Sequence, residues 1–295
     1  MLRARGLRLR LAVLRKRLSN FWKLFRASKL GIFGLSLILF FVFLAILAPL
    51  VAPYDPYEMV GGPFETPSAE HPLGTDQIGR DLLSELIYGT RVSLLIGLTA
   101  SFMAVMIGTT IGLISGFFGG IVDTVLMRIT DTFIQLPSLP LMLIFVAILG
   151  KGIFNIILVI VILSWTASAR IVRSMTLSLK ERPFVEAARA AGASSLQILV
   201  RHIAPNVFPV IFAYANIAVV DAILAESFLS FLGFGDPRTP SWGMILYYGS
   251  RAGAMSNGFW WFVIPPGIMI MLLALGFACM SYSLDQILNP RLRRR

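Results

Sequence analysis

Residues 184–206, with the sequence FVEAARAAGASSLQILVRHIAPN, separate two long apolar runs of a chain that is 57% hydrophobic. The segment is rich in alanine, which favours helix, and it also carries the charged residues Glu186 and Arg201. Pro183 is placed for the first turn of a helix, where its missing N–H leaves no bond unmade. Gly192 is typical of the position just past a last turn. The pattern predicts a short first helix that ends at Gly192.

A second short helix is predicted directly after Gly192. Ser194 and Gln197 have the spacing of a capping box, in which each side chain bonds the other residue's backbone N–H. The residues that give this helix an apolar side are Leu196, Leu199, Val200 and Ile203. Pro205 is then expected to stop or bend the chain as it enters the next apolar run. Residues 184–206 are therefore predicted as helix–turn–helix.

The composition is that of a polytopic membrane protein. The chain has 295 residues, a mean hydropathy of +0.79 and only 14% charged residues, which is typical of a membrane protein and not of a soluble domain. A bilayer crossing needs about 17–25 predominantly apolar residues. The predicted fold class is all-α, with six transmembrane helices, the third interrupted by Pro137 and Pro140. The spans are predicted at residues 31–52, 92–114, 132–149, 152–169, 203–220 and 259–284.

The distribution of Lys and Arg predicts the orientation. With six spans both ends lie on one side, and that side holds 21 of the 26 Lys and Arg residues. Because basic residues are enriched in cytoplasmic loops, both termini and residues 184–206 are predicted to be cytoplasmic. The basic residues then face anionic lipid headgroups, so the net charge of +11 does not require a nucleic-acid partner.

Residues 53–91 are predicted as a long extracellular loop that includes a short helix at 80–88. The loop holds seven acidic residues and two arginines. We interpret Asp76, Arg80 and Asp81 as a local network that holds the loop. A loop of this length also suggests packing against a partner.

Two carboxylates, Asp221 and Glu226, follow the fifth predicted span. Carboxylates in membrane helices are costly and usually face a cavity or a partner, which makes both residues candidates for the pathway or for an outer gate. The alternative places them at the outer interface, hydrated or paired with Arg238 or Arg251.

Three further charges, Asp123, Arg128 and Asp131, recur at intervals of five and three residues. We expect them to neutralise one another on a cytoplasmic interfacial helix, and a proton relay is the alternative.

No catalytic or metal-binding motif is found in the sequence. The phosphate-binding loop, a glycine followed after four residues by Gly-Lys-Ser/Thr, is absent, and the Gly-Lys pair at Gly150 and Lys151 continues with Gly152. His71 and His202 are predicted on opposite sides of the membrane, so they cannot share a metal ion. The chain is expected to be neither an enzyme nor a holder of a metal or cofactor.

Residues 184–206 have three interpretations. The first is an ordinary loop between spans that happens to be helical. The second, a DNA-binding helix–turn–helix, is disfavoured because the segment lies between two spans and its first helix lacks the basic and amide residues that recognise base edges. The third is a docking element, in which a smooth alanine face lies in a groove of a soluble partner and Glu186 offers one charged contact.

The segment also resembles a known family. The pattern of Glu-Ala-Ala, three residues, Gly, twelve residues and Pro is the signature loop of type I ATP-binding-cassette (ABC) importer permeases, and this chain differs from it at His202 and Ala204. In that family the loop is the coupling helix that sits in a cleft of an ATPase. The coupling residues that this resemblance implies are Glu186, Ala187, Ala188, Arg189, Gly192, Ala193 and Pro205.

Further stretches are similar to the C-type subunits of the dipeptide, oligopeptide and nickel importers. They are HPLGTDQIGRDLLSELIYGTRVSLLIG (71–97), LSLKERPFVEAARAAGAS (177–194), LSFLGFGDPRTPSWG (229–243) and LNPRLRRR (288–295). The likeness implies a heterodimer with a homologous permease, two ATPases that carry ATP and Mg²⁺, and an extracellular or periplasmic solute-binding protein. It also implies a bacterial or archaeal cell membrane and di- or oligopeptides as substrate, with oligosaccharides or nickel chelates as alternatives.

The resemblance and the spans together suggest how the chain is divided. The expected parts are a basic cytoplasmic N-terminal segment (1–30), the first transmembrane helix (31–52), the extracellular loop (53–91), a permease core of five transmembrane helices with the coupling loop 177–205 (92–285), and a basic cytoplasmic tail (286–295). A standalone channel or a secondary transporter is the alternative function of another class. A secondary transporter is expected to have internal repeats and ionisable residues at mid-membrane, and a channel a selectivity filter.

Overall fold

The computed structural model describes residues 22–288, and in this range the chain consists of helices joined by short turns and one long loop. Residues 22–27 are helical, and Leu199–Ile203 form a π-helical turn. The remaining helices are α1 (Lys29–Val51), α2 (Leu82–Phe118), α3 (Gly120–Gln135), α4 (Ser138–Leu149), α5 (Ile153–Lys180), α6 (Pro183–Ala190), α7 (Ser195–Ile198), α8 (Ala204–Phe231), α9 (Trp242–Arg251) and α10 (Trp260–Leu288). Most of the predicted basic segment 1–30 and of the predicted tail 286–295 lies outside the described residues.

Five helical runs between residues 22 and 288 are long and apolar enough to cross a membrane, which matches five of the six predicted spans. They are α1, α2, α5, α10 and the continuous run Ser195–Phe231 that contains α7 and α8. The third predicted span, 132–149, is interrupted, as the sequence predicts. It is divided between α3 and α4, which form one broken span or a re-entrant loop with a bend of 92°. Helix α4 has 12 residues, about 18 Å, which is shorter than the hydrocarbon core of about 30 Å.

The break between α3 and α4 follows from a proline. Leu136 has an extended backbone with ψ 137°, as is usual for a residue that precedes proline, and Pro137 is the N-cap of α4. Pro140 lies in the first turn of α4, where a proline is tolerated because that turn has no N–H bonds to lose. Of the two prolines, therefore, only Pro137 interrupts the helix.

The observed boundary between the long loop and the second span differs from the predicted one, because α2 begins at Leu82. The expected short helix 80–88 and the expected span 92–114 are parts of one helix of 37 residues. Asp81 caps its start, because its carboxylate accepts the backbone N–H of Ser84 at 2.8 Å. The long loop therefore ends at residue 81 and not at residue 91.

The charge at Arg91 delimited the predicted span, yet the helix continues through it. Arg91 Nε donates to the carbonyl oxygen of Ala45 on α1 at 2.5 Å. That oxygen lacks its usual helical donor because Pro49, four residues further on, has no N–H. The guanidinium group thus takes the place of the missing proline N–H on this carbonyl.

Helices α2 and α5 pack closely along a stripe of glycines. Gly108, Gly112 and Gly116 recur every four residues and face the backbone of α5, so that a Cβ at any of them would clash with α5 atoms. Small residues at this spacing let two membrane helices approach each other closely. The contact holds α5 against the middle of the bundle, and α5 leads directly to α6.

The expected mutual neutralisation of Asp123, Arg128 and Asp131 is wrong. Arg173 of α5 binds Asp123 through both Nε and Nη2, at 2.6 Å each, and Arg170 Nη2 lies 2.5 Å from Asp131 Oδ1. Arg128 is exposed. The acidic residues thus attach α3 to α5, and the paired arginines allow α5 to continue to Lys180, beyond the predicted end of the fourth span at residue 169.

Candidate functional site

Helix α6 has the start and the end that its sequence predicts. Pro183 is its first residue, after Arg182 in extended conformation. At its end Gly192 takes φ +81°, a left-handed conformation that glycine adopts without the cost a Cβ would add. The backbone N–H of Ala193 donates to the carbonyl of Ala188 at 3.0 Å, which is the six-to-one bond of a Schellman turn. The first half of the predicted helix–turn–helix is confirmed.

The capping box of α7 is also confirmed. Gln197 N donates to Ser194 Oγ at 3.3 Å, and Ser194 N donates to Gln197 Oε1 at 3.0 Å. However, the second helix does not stop at Pro205, since it continues through the π-helical turn into α8. The N–H of Ala204 donates to the carbonyl of Leu199, five residues back, and this wider turn accommodates a proline that cannot donate itself.

We call residues 183–203 the α6 segment. Val185 is the one buried residue of α6. It packs in a cluster that includes Val172 of α5, Ile203 of the π-helical turn and Val207 of α8. The cluster joins α6 to the ends of two long helices, α5 and α8. Among the predicted coupling residues, Ala188 and Ala193 are partly buried against it, and the others are exposed: Glu186, Ala187, Arg189, Gly192 and Pro205.

Three apolar side chains of the α6 segment are exposed, although sequence analysis did not predict it. Phe184 is 41% exposed, Leu196 67% and Val200 57%. The predicted apolar side of the second helix is therefore divided, because Leu199 and Ile203 are buried while Leu196 and Val200 are not. Helical periodicity alone could not separate these pairs, since residues 196, 199, 200 and 203 occupy one broad face. The exposed members add apolar surface to the α6 segment, which also exposes Glu186.

A cavity of about 880 Å³ lies between α2, α3, α4, α5 and α8. Asp221 of α8 and Arg170 of α5 are the charged residues in its lining, which is otherwise mainly apolar. Asp221 lies within α8 and not after its end, because α8 continues to Phe231. Asp221 therefore lines the cavity without an arginine partner among residues 22–288, and its role in a pathway stays a prediction.

Glu226 has different surroundings, although it follows Asp221 by only five residues. Its side chain is completely buried and is bound by hydroxyl groups: Ser230 Oγ at 2.8 Å, Ser227 Oγ at 3.3 Å and Ser93 Oγ at 3.5 Å. It does not line the cavity. The alternative in which it is hydrated or paired with arginine at the interface does not hold for this residue.

The long loop is fixed by buried ion pairs. Asp76 accepts Arg80 Nε at 2.7 Å and the backbone N–H of Arg80 at 2.8 Å. Arg80 Nη2 also lies 2.8 Å from Glu85 Oε1. Burial alone would lower the pKa of Arg80, but the carboxylates of Glu85 and Asp76 outweigh it and raise that pKa. Glu85 was not predicted as part of this network. The sequence feature that could have indicated Glu85 is its position five residues after Arg80, in the first turn of α2.

Asp81 belongs to a neighbouring network. Asp81 Oδ1 lies 3.1 Å from His71 Nδ1, and Asp81 Oδ2 accepts both the hydroxyl and the backbone N–H of Ser84. Ser84 Oγ in turn accepts the N–H of Tyr54 at 3.1 Å. The three residues predicted as one network thus form two, which together connect both ends of the loop to the start of α2.

Comparisons with known proteins identify the family. The family model described as "Binding-protein-dependent transport system inner membrane component" matches residues 108–294, which include the α6 segment and all of the cavity lining except Ser101 and Ala104. The chain belongs to this family. A second family model, described as "N-terminal TM domain of oligopeptide transport permease C", matches residues 16–68 of this chain. The resemblance stated from the sequence is confirmed.

Two relatives of this chain are similar to it over most of their length. It is 38% identical to the di/tripeptide transport system permease protein DppC of Pseudomonas aeruginosa, over 94% of this chain and 93% of that protein. It is 36% identical to the oligopeptide transport system permease protein OppC of Bacillus subtilis, over 92% of this chain and 88% of that protein.

A solved structure of the MetNI methionine ABC transporter, in inward-facing conformations, contains a chain with a similar fold. The TM-score is 0.52 at 20% identity, over 68% of this chain and 96% of that chain. The similarity confirms that this chain has the predicted importer permease fold. Membership implies partners outside this chain, namely ATPase subunits and a substrate-binding protein, and a membrane in which the chain lies.

Proposed function

We propose that the chain is the permease subunit of an ABC importer for di- or oligopeptides and forms the translocation path as a heterodimer with a homologous permease. Two ATPase subunits carry ATP and Mg²⁺, and this chain neither hydrolyses ATP nor holds a cofactor. An extracellular or periplasmic solute-binding protein delivers the peptide. The cell membrane is bacterial or archaeal. Peptides as substrate are supported by the relatives, which are named as peptide permeases.

The observation that carries this proposal is the construction of the α6 segment. It exposes Glu186 together with Phe184, Leu196 and Val200, while Val185 anchors it to α5 and α8. Both of those helices also line the cavity. An ATPase that binds the exposed face and then moves would displace the ends of two cavity-lining helices. The geometry thus connects a docking face to the candidate path.

Reconstitution tests the proposal. This chain is purified in complex with its candidate partner permease, ATPases and binding protein, and uptake of radiolabelled trialanine into proteoliposomes is measured. We expect uptake that requires both ATP and the binding protein. Unlabelled peptides should compete, while maltotriose and a nickel–histidine chelate should not. Uptake by the permeases alone would contradict the proposal and support a channel or a secondary transporter.

The orientation is part of the proposal, with both termini and the α6 segment in the cytoplasm. The asymmetry of Lys and Arg supports it. Thr66 and Ser195 are both exposed, so a cysteine at either position can be reached by a membrane-impermeant thiol reagent. We expect Thr66→Cys to be labelled in intact cells and Ser195→Cys only after the membrane is opened. Labelling of Ser195→Cys in intact cells would contradict the orientation.

A further inference from the structure

Asp221 lies on one face of α8 that forms a wall of the cavity. Residues of this face recur at intervals of four, three, four and three residues, which is the spacing of a single helix face. They are Tyr214, Ala218, Asp221, Ala225 and Phe228. Except for the Tyr214 hydroxyl, the other members of this face are apolar. A carboxylate in this row is therefore the strongest polar feature of that wall.

The charges of the cavity do not balance. Arg170, the other charged residue of the lining, already pairs with Asp131 at 2.5 Å. Asp221 has no hydrogen bond or ion pair with any residue between 22 and 288. A carboxylate within a membrane helix is costly unless water, a cation or a partner meets it. The cavity thus offers one negative charge for which this part of the chain supplies no counter-charge.

Glu226, on the same helix, is a carboxylate whose contacts are all within the protein, and it can be compared with Asp221. Three serine hydroxyls bind it and the side chain is fully buried. Asp221 has neither feature, although the small side chains of Ala218, Ala222 and Ala225 surround it in the helix. Its exposure to the cavity is thus not explained by packing, and the chemistry that suits it is a cationic group entering the cavity.

We propose that Asp221 binds the α-ammonium group of a peptide in transit, an inference that rests on the proposed function. Every peptide with a free N-terminus carries this cation whatever its side chains are, so one carboxylate can serve many sequences. The cavity volume of about 880 Å³ lies in the range of about 300–1,000 Å³ that small-ligand sites occupy. The bond is a charge-assisted hydrogen bond from N–H to the Asp221 carboxylate, with no covalent step.

The test compares trialanine with N-acetyl-trialanine, which lacks the cation, in proteoliposomes with the complete transporter. For each peptide, uptake is divided by the amount bound to the binding protein. We expect Asp221→Asn to lower uptake of trialanine about 10-fold or more, as loss of one charge-assisted hydrogen bond would, and to leave N-acetyl-trialanine unchanged. Asp221→Glu should restore part of the difference.

Asp285→Asn is the matched control. Asp285 lines a second cavity of about 470 Å³, which shares Ile171 and Tyr214 with the first, and it also has no ion pair within the described chain. Its substitution therefore removes a nearby carboxylate while Asp221 is kept. We expect it to leave the ratio of the two uptake rates unchanged. Direct binding of both labelled peptides to the complex without binding protein gives a second readout, which does not depend on delivery.

Two results would overturn the inference. Equal loss of both peptides in Asp221→Asn would show that the carboxylate acts on the protein and not on the substrate. Loss of the homologous permease during purification of that variant would show that Asp221 pairs with a cation of the other subunit. Absence of trialanine uptake by the unmodified transporter is a separate result, since it contradicts the proposed function itself.

Discussion

The long loop before α2 and the α6 segment lie at opposite ends of the bundle. They differ in whether their charged side chains are buried in ion pairs or exposed. In the loop, Asp76 and Arg80 are buried in ion pairs, with side-chain exposures of 0% and 12%. In the α6 segment, Glu186 is exposed, and helix α6 itself is held by one buried side chain, Val185. One region satisfies its polar groups internally, whereas the other leaves them available.

This difference shows how a region that keeps its own shape can be distinguished from a region that serves a partner. A buried ion pair makes the surrounding loop depend on it, because either partner alone would be an uncompensated buried charge. An exposed carboxylate contributes little to the fold and can be used elsewhere. Substitutions should therefore affect mainly stability in the loop and mainly ATPase binding in the α6 segment.

The largest effect on stability is expected for Arg80→Ala. It leaves two buried carboxylates, Asp76 and Glu85, without their counter-charge, and breaking a buried pair in this way costs about 3–5 kcal/mol. We expect a marked fall in the thermal stability of the purified subunit and in its abundance in membranes. The matched control is Arg238→Ala. Arg238 is 90% exposed and lies 3.5 Å from Asp236, so its loss should change little. Equal stability of the two variants would contradict the structural role of the loop network.

Val185→Ala should have the next largest effect. Removing two buried carbons costs about 1.5 kcal/mol, and the cavity left behind adds to this cost. The neighbouring Phe184 is 41% exposed, so Phe184→Ala should barely affect unfolding but should reduce ATPase retention. Proteolysis of the α6 segment in the purified complex measures the first effect, and co-purification of the ATPase measures the second. If both variants behave alike, the separation between anchor and docking face is wrong.

Gly192→Val is expected to cost about 1–2 kcal/mol, the penalty of a left-handed backbone for a residue with Cβ. A Cβ at Gly192 would meet no atom within 4 Å, so the cost is one of backbone conformation and not of collision. Since the turn sets the angle between α6 and α7, the subunit should remain in the membrane while ATPase retention and uptake fall. Gly192→Asn is the control, because asparagine tolerates this conformation and should keep most of the activity. Normal uptake with Gly192→Val would contradict this role of the turn.

The features that could be predicted from the sequence are those set by neighbouring residues. The start of α6 at Pro183, the turn at Gly192 and the capping box of Ser194 and Gln197 depend on contacts within a few residues, and all three are present. The break at Pro137 is also local, although its sharpness was not foreseen.

The features that could not be predicted depend on residues far apart in the chain. The continuity of α2 depends on Arg91 and a carbonyl that Pro49 leaves free on another helix. The partner of Asp123 is Arg173, 50 residues away, and not the nearby Arg128. The serines around Glu226 come from two helices. Charge spacing along the sequence carries no information about such contacts.

The smallest effect on the fold, and the most direct test of the account, is expected for Glu186→Ala. A carboxylate in the first turn of a helix stabilises it by about 0.3–1 kcal/mol, whereas a charge-assisted contact with a partner contributes about 1.5–3 kcal/mol. The matched control is Glu181→Ala, because Glu181 is also an exposed acid and lies just before α6.

The decisive measurement is the affinity of the ATPase subunits for the purified permease pair, determined with each variant alongside its thermal stability. The account predicts that Glu186→Ala weakens ATPase binding about 10-fold or more and leaves the melting temperature nearly unchanged, while Glu181→Ala changes neither. Unchanged ATPase affinity in Glu186→Ala, or a loss of affinity that only follows a loss of folded subunit, would contradict the claim that the α6 segment is the docking element.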